Sequence, residues 1–379
     1  MPTAKTALIP FLSVAFAALC TVPAYAQQQA PAPGDPGYVR VQGQDGALPP
    51  PLPGISAQRA LIDHREEMRT FIQRIATYAH SQKSNFMVVA RDAEELIIKR
   101  DLQDDNIISP ARTFTRSVDA VMYDGLFLGH KVIGQAPPPE VQEQMLANVD
   151  RARKAGLPIL TMEFATDPTS IDAVYRAADQ RGLVASVAHR PSSDLIEIPP
   201  YPRRPYRENP NNILSMDDVK NFIYLSDPAA FGRQDQFALE IHGTNFDLVI
   251  VDPFSGRDPL SKAAVETLKY KKLGARRLVF ARMDIGTAAS YRYYWKGDWR
   301  EGSPGFIANP YPGDPDRYFV EYWSPAWQDL MSGNPQSYLY GLIAQGYDGV
   351  ILEGMRSYLL FEGNVEVEQE FAPLATSAN

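Results

Sequence analysis

The sequence is nearly free of the residues that build disulfide frameworks and metal sites. Its 379 residues include one cysteine, Cys20, and five histidines. Cys20 lies in the leader predicted below, so we expect no disulfide, thiolate nucleophile or cysteine ligand in the mature chain. The histidines show no HxxxH or HExxH spacing, and GxSxG, GxGxxG and GxxxxGK[ST] patterns are missing. We therefore predict neither a metal nor a cofactor.

Basic residues are also fewer than acidic residues. The chain has 37 Lys and Arg against 45 Asp and Glu, a formal net charge of −8 at pH 7. Nucleic acids are bound through an excess of Lys and Arg, so this composition argues against a nucleic-acid partner. Aromatic residues make up 11% of the chain, with 19 tyrosines, which suits a surface that stacks on sugar rings.

The N-terminus has the features of a secretory leader. Lys5 precedes a mostly apolar segment, Ala7 to Leu19, and Ala24-Tyr25-Ala26 is a small-x-small cleavage site. We predict a signal peptide over 1–26, hence a secreted or periplasmic protein with no membrane span after cleavage. An N-terminal membrane anchor is the alternative. Residues 27–55 are rich in Pro, Gly and Gln and predict a disordered linker; we also expect a disordered tail over 366–379.

Eight short apolar runs lie between these ends, with helical patterns between them. Several run without polar alternation, as parallel strands buried on both faces do. The pattern predicts an α/β fold, a (β/α)₈ TIM barrel forming one domain over 56–365, with a doubly wound open sheet as the alternative. The candidate strands are Phe86–Arg91, Ala120–Tyr123, Pro158–Phe164, Val184–His189, Asn221–Ser226, Asp247–Asp252, Arg277–Arg282 and Gly349–Glu353.

One segment does not fit a regular βα unit. Residues 191–212 read PSSDLIEIPPYPRRPYRENPNN and contain six prolines, so no helix passes through them. A long irregular connection inside a domain is usually a lid or a junction between two modules.

Three stretches together resemble a known family. They are NFDLVIVDPF (245–254), ASYRYYWKGDWREGSPGFIANPYPGDPDRYFVEYWSPAWQDL (289–330) and GYDGVILEG (346–354). They are similar to the extracellular glycoside hydrolases related to endo-α-1,4-polygalactosaminidase. The resemblance implies a (β/α)₈ barrel that acts on a polysaccharide or oligosaccharide.

The order of the matching segments is rotated. In that family the barrel continues after the GYDGVILEG-like strand, whereas here the matching continuation lies at 59–96, ending FMVVARDAEEL. VDAVMYDGLF, GLPILTMEFA and GLVASVAHRPSS then resemble the family's last strands. We infer a circularly permuted barrel, in which 191–212 joins the family's two termini; such permutations are tolerated because domain termini are often adjacent.

Glycoside cleavage requires two carboxyl groups that flank the bond. The resemblance implies that Glu353 is the nucleophile or stabilising carboxylate and that Asp124 is the general acid/base. Each differs from its family counterpart in side-chain length, Glu replacing Asp and Asp replacing Glu. A binding or structural carboxylate is the alternative for both.

Further residues at strand ends and on the aromatic loop are candidates for substrate binding. The aromatic loop follows a strand's carboxyl end, so it should overhang the mouth of the barrel; packing against the rim is the alternative for it. The candidate set is Asp252, Glu163, Asp284, Tyr123, Arg91, Asp92, Tyr291, Arg292, Tyr293 and Trp295.

Several acids of the family pattern are missing. Thr287, Ala289, Ser290 and Arg356 stand at positions where the family has carboxylates. Two hypotheses follow. In the first, the chain is an exported glycosidase that cleaves a polysaccharide, with an amino-sugar exopolysaccharide among the candidates. In the second, it is a catalytically degenerate barrel that binds a glycan or serves envelope or exopolysaccharide assembly.

Overall fold

The computed structural model describes residues 62–101, 107–363 and 365–376, so the predicted signal peptide and linker lie outside the described residues. Eight parallel strands form the central sheet, and each matches a sequence-predicted strand to within two residues at either end. They are β1 Met87–Arg91, β2 Ala120–Asp124, β3 Ile159–Phe164, β4 Val184–Ala188, β5 Phe222–Leu225, β6 Leu248–Val251, β7 Leu278–Asp284 and β8 Gly349–Glu353.

The sheet curls into a nearly closed barrel. The hydrogen-bonded order is β4-β3-β2-β1-β8-β7-β6-β5, which follows the chain around the ring. The first and last strands pair in register, with Val89 opposite Ile351. The edge strands β4 and β5 face each other at a seam without a ladder among the described residues. The predicted (β/α)₈ barrel is thus confirmed.

Pairing of β1 with β8 brings the two ends of the barrel sequence together but does not establish the permutation, because every barrel of this type brings its first and last strands together. The sheet's unpaired seam lies between β4 and β5, which the proline-rich segment 191–212 connects. The seam does not test the permutation either, and the rotated order stays a prediction.

Four of the helices in the described part of the chain begin at a residue whose side chain accepts a bond from a backbone amide. Asp63 caps the first helix by accepting a bond from the amide of Glu66, and Asp167 caps another from the amide of Ser170. Their apolar faces pack on the outside of the barrel. The helices are α1 His64–Gln82, α2 Arg112–Ser117, α3 Pro139–Lys154, α4 Pro168–Gln180, α5 Gln234–His242, α6 Lys262–Leu268, α7 Pro325–Met331, α8 Tyr338–Gln345, α9 Tyr358–Glu362 and α10 Val367–Glu370.

Alternate residues of each strand enter two separate cores. The inner core fills the barrel with residues such as Val89, Met122 and Ile351. The outer core lies between strands and helices and takes their neighbours, such as Ala90 and Leu352. This alternation decides which strand-end side chains reach the mouth, at the carboxyl ends of the strands.

The proline-rich segment is tied to the outside of the seam and to the base of the barrel. Tyr206 stacks on Tyr175 of α4 with ring centroids 4.5 Å apart, and the Tyr201 hydroxyl donates to Asp172 of the same helix at 2.9 Å. At the base, Lys271 Nζ donates to the carbonyl of Asn209 at 2.7 Å. These contacts describe a fixed junction.

The C-terminal segment, for which we expect disorder from residue 366, is placed in the structure as far as residue 376. It forms α10, and Ala375 makes a bridge with Val132 in the loop after β2. Its composition gave no sign of this, because its contacts are with loops distant in sequence. None of the helices in the described part of the chain combines the length and apolar character needed to cross a bilayer.

Candidate active site at the barrel mouth

Polar side chains replace the inner core at the mouth. Arg91, Tyr224, Arg282 and Glu353 each lie two residues after an inner-core residue, namely Val89, Phe222, Phe280 and Ile351. Strand alternation therefore turns all four toward the barrel axis. The same rule turns Asp124 and Asp252 inward, since they lie two residues after Met122 and Ile250.

Glu353 is buried among cations. Arg91 Nη1 donates to its Oε1 at 2.8 Å and Arg282 Nη2 to its Oε2 at 3.0 Å. The Tyr224 hydroxyl also donates to Oε1. Burial alone would raise the pKa of Glu353, but the charges of Arg282 and Arg91 and the bonds from Arg282 and Tyr224 hold it well below its ordinary value. Glu353 is therefore ionised at any physiological pH.

Arg91 joins the two predicted catalytic carboxylates. Its Nε donates to Asp124 Oδ1 at 3.1 Å and its Nη2 to Asp124 Oδ2, while Nη1 holds Glu353. Both carboxylates thus lie at one mouth, bound to a single guanidinium. The Asp124 side chain keeps 25% of its surface exposed, against 10% for Glu353.

A second bidentate pair lies beside the first. Arg292 donates through Nη1 and Nη2 to Asp252 Oδ1 and Oδ2, at 2.8 and 2.6 Å. Arg282 Nη1 approaches Asp252 Oδ2 at 3.7 Å and so connects this pair to Glu353. Tyr224 lies under both Arg91 and Arg282, with guanidinium carbons 4.9 and 5.1 Å from its ring centroid. The result is one continuous charged network.

Asp92 follows Arg91 in a left-handed backbone conformation, φ 56°. Its Oδ2 lies 3.8 Å from Arg91 Nε. Burial and the nearby charges of Asp124 and Glu94 raise the pKa of Asp92 well above its ordinary value, although Arg91 and Arg356 oppose the rise. Burial likewise raises the pKa of Glu94. The mouth therefore combines two carboxyl groups of raised pKa, Asp92 and Glu94, with Glu353, whose pKa is lowered.

Asp284 organises the loops at the rim. It accepts bonds from the amides of Gly286 and Thr287, at 3.1 and 2.9 Å, and from the Thr287 hydroxyl at 2.6 Å. Gly286 lies so close to Gly354 that a Cβ there would meet the Gly354 carbonyl oxygen at 1.9 Å. Glycine is thus required where the loops after β7 and β8 meet, and Asp284 fixes one of them.

Two predicted binding residues point away from the mouth. Glu163 lies between the inner-core residues Met162 and Phe164, so it faces the helices, and its Oε2 accepts bonds from the amides of Phe127 and Leu128 at 2.9 Å each. Burial raises the pKa of Glu163 to about 8 despite these bonds. Tyr123 belongs to the outer core, and its buried hydroxyl has no hydrogen-bond partner among the described residues.

The aromatic loop divides into exposed and packed members. Tyr291 and Tyr293 are 43% and 52% exposed. Tyr293 stacks near Phe254 with centroids 5.7 Å apart. Trp295 is half-buried and stacks against Tyr318 at 5.5 Å. The two tyrosines therefore keep exposed ring surface, although the Arg292 guanidinium carbon lies 5.4 Å from the Tyr291 ring centroid, whereas Trp295 packs within the loop.

Sequence reasoning missed Tyr224 and Arg282, which complete the shell around Glu353. Arg282 offered a signal, because a charged residue closing a buried apolar run must find a partner in the fold. Tyr224 offered none, since tyrosine is common in strands. No group of three or more Asp, Glu, His or Cys side chains in residues 62–101, 107–363 and 365–376 is arranged to hold a metal ion.

No protein-family model matches the chain. An uncharacterized protein of Deinococcus radiodurans is 35% identical over 118 residues, covering 31% of this chain and 36% of that protein. Uncharacterized proteins of Methanocaldococcus jannaschii and Thermotoga maritima are 31% and 29% identical, over 38% and 33% of this chain and 39% and 37% of theirs. The chain thus matches little more than a third of the length of these curated relatives.

Among solved structures, a U32 peptidase is 12% identical, with alignment over 70% of this chain and 92% of that one and a TM-score of 0.29. A TM-score this low does not establish a shared fold.

Proposed function

We propose that the mouth of this exported barrel binds a carbohydrate chain, and that the pair Glu353 and Asp124 does not cleave it. The observation that carries the proposal is the guanidinium of Arg91, which is bonded to both carboxylates. Glycoside hydrolysis requires the scissile bond to lie between the two carboxyl groups. Here Arg91 fills that space.

The hydrogen bonds of Glu353 support the same conclusion. A carboxylate has about four lone-pair positions. Oε1 accepts from Arg91 and Tyr224, and Oε2 accepts from Nε and Nη2 of Arg282, the former at 3.2 Å. No lone pair is left to attack an anomeric carbon, so Glu353 anchors the arginines.

The exposed groups at the mouth suit a sugar. Asp124 uses one acceptor position on each oxygen for Arg91 and is partly exposed, so it can accept bonds from hydroxyl groups. The exposed ring surfaces of Tyr291 and Tyr293 can stack on the C–H faces of a pyranose. The carboxylates are matched by neighbouring guanidiniums, which favours an uncharged glycan over a cationic amino sugar.

Hydrolysis through a different acid is the second candidate. Acid and base roles are marked by groups whose environments drive their pKa values apart. The pKa of Asp92 is raised and that of Glu353 is lowered in one mouth. This observation favours Asp92 over Asp124 as a proton donor if the chain cleaves a glycan.

Calorimetric titration and reducing-end release, measured on the same samples, distinguish the two. The probes are oligosaccharides of dextran, chitosan and α-1,4-linked polygalactosamine. We expect saturable binding of a neutral oligosaccharide without release of reducing ends. Asp124→Asn should weaken binding about ten- to a hundredfold, because a hydrogen bond to a charged group contributes about 1.5–3 kcal/mol. Asp217→Asn, an exposed acid near the base, is the matched control.

Other outcomes assign the function differently. Release that is lost in Asp92→Asn but kept in Asp124→Asn establishes the second candidate. Release that is lost in both Glu353→Gln and Asp124→Asn makes those two residues the catalytic pair and overturns the proposal. Absence of binding to all three probes overturns it as well.

A further inference from the structure

The C-terminal segment Val367–Ala375, called the strap below, contacts three different loops of the barrel mouth. Phe371 packs against Phe319 and Tyr311, with ring centroids 4.9 and 5.8 Å apart. These two residues belong to an antiparallel hairpin after β7, formed by strands Ile307–Tyr311 and Asp314–Val320. Glu370 forms an ion pair with Arg356, which follows β8. The amide of Ala375 donates to the carbonyl of Lys131, after β2, at 3.0 Å.

The order of the strands shows what the strap crosses. Around the barrel, β1 lies between β8 and β2. A segment fixed to the loops after β7, β8 and β2 therefore passes over the ends of β8 and β1, which carry Glu353 and Arg91. Leu374 is partly buried and packs against the cluster that forms the inner core.

Arg356 connects the strap to the charged network. It is held by Glu370, and its charge acts on both Asp92 and Glu94. These acids lie in the loop after β1, directly beyond Arg91. The strap is thus linked through Arg356 to the loop that follows Arg91, the partner of Asp124.

The strap is held more weakly than the barrel. None of its residues is fully buried, and α10 has four residues. Apart from Ala375, whose carbonyl also accepts from Ile133 at 2.9 Å, its polar links are an ion pair with Arg356 and contacts of Lys131 with Gln369 and Glu370. Segments with few buried contacts open locally at a small fraction of the global free energy of unfolding.

We infer that the strap determines which molecules enter the mouth: closed, it admits small molecules and chain ends but excludes the interior of a long chain. This inference rests on the proposed function for the identity of the ligand. Access to the mouth is measured without any glycan. If the strap does not control access, glycan binding can still be tested separately, and if no glycan binds, control of access by the strap can still be tested.

The near absence of cysteine makes a thiol-access experiment direct. Cys20→Ser removes the native thiol, and Asp124→Cys then places a single thiol in the mouth. Its labelling by methyl methanethiosulfonate, which is small, is compared with labelling by a long polyethylene glycol maleimide. Thr77→Cys, on the exposed face of α1, supplies the control thiol in a separate chain.

Strap variants then change access to the thiol in the mouth. In a chain that ends at Gly363, the bulky maleimide should label this thiol at least about tenfold faster, because the closed state no longer limits the exposed population. Glu370→Gln should give a smaller increase. Its matched control is Glu368→Gln, the same charge change at an exposed position of α10 with no ion pair among the described residues.

The conclusion depends on two comparisons. Labelling of the control thiol on α1 should be the same in every strap variant, and circular dichroism should show the barrel folded. Equal bulky-reagent rates at the mouth thiol in the full chain, in the shortened chain and in Glu370→Gln overturn the inference. Equal rates for Glu368→Gln and Glu370→Gln, both faster than the parent, overturn the role of the Arg356 pair.

Discussion

Both ends of the barrel bury ionised side chains, but the two ends differ in whether the charged network reaches solvent. At the base, Lys271 Nζ lies 2.5 Å from Asp247 Oδ1, and both side chains are fully buried. Lys271 also donates to the carbonyls of Asn209 and Asn211 at 2.7 and 3.0 Å. Asp247 Oδ2 accepts from the amide of Lys220 at 2.8 Å. All of these hydrogen-bond partners of Lys271 and Asp247 are protein groups, and neither side chain is exposed to solvent.

At the mouth, the outer members of the charged network are partly exposed to solvent. Arg91 and Glu353 are about as buried as a structural pair, yet Asp124 and Asp92 keep 25% and 30% of their side-chain surfaces exposed. A buried ion pair is by itself weak evidence of either stability or function. What separates the two ends is unused hydrogen-bonding capacity directed at solvent, which the mouth has and the base pair lacks.

The largest effect should come from breaking the base pair. Lys271→Met leaves Asp247 ionised and buried without its cation, so we expect a loss of about 3–5 kcal/mol in the free energy of unfolding. Chemical denaturation measures it. Glycan binding at the mouth should be unchanged in the fraction that remains folded.

Lys272→Met is the matched control, because Lys272 is exposed beside Lys271 and the change in sequence is the same. It should alter the free energy of unfolding by less than about 0.5 kcal/mol. If the two variants lose equal stability, the base pair is not the anchor of the junction.

A smaller effect per pH unit should appear at Glu163, which lies in the mouth half of the barrel but faces outward. Its pKa is raised from 4.5 to about 8, first by burial. The unfolded chain ionises this group above pH 4.5 while the folded chain keeps the proton. Wild-type stability should therefore fall as pH rises through this window and level off above about 8, at most about 1.4 kcal/mol per pH unit.

Glu163→Gln tests the sign of that dependence. The amide keeps an acceptor oxygen for the amides of Phe127 and Leu128 but does not titrate. The variant should gain stability relative to wild type between pH 5 and pH 8, measured by denaturation at each pH. A difference that stays constant with pH contradicts a raised pKa at Glu163.

The sequence alone predicted the barrel well, because apolar runs buried on both faces are a local signal. The resemblance of the sequence to a barrel family also predicted that Glu353 and Asp124 lie at one mouth, since both close strands of the same barrel. Alternation along β3 excluded Glu163 from that mouth, and this was readable in principle from the apolar neighbours Met162 and Phe164.

The rest depended on distant contacts. The insertion of Arg91 between two carboxylates requires strands β1, β2 and β8 to be adjacent, and no local pattern shows where a guanidinium will point. The strap is still harder to foresee, since its residues are ordinary and its partners lie after β2, β7 and β8. Local composition predicts disorder there, whereas the structure places the segment against loops distant in sequence.

The smallest effect should come from replacing an exposed tyrosine, and it should weaken glycan binding only when that tyrosine lies at the mouth. Tyr293 at the mouth is 52% exposed and Tyr270 near the base is 38% exposed. If a sugar ring stacks at the mouth, Tyr293→Ala should weaken binding of a neutral oligosaccharide about two- to tenfold, since an aromatic contact contributes about 0.5–1.5 kcal/mol. Tyr270→Ala should leave the affinity measured by titration calorimetry unchanged. Equal loss in both variants places the sugar elsewhere than on the aromatic loop.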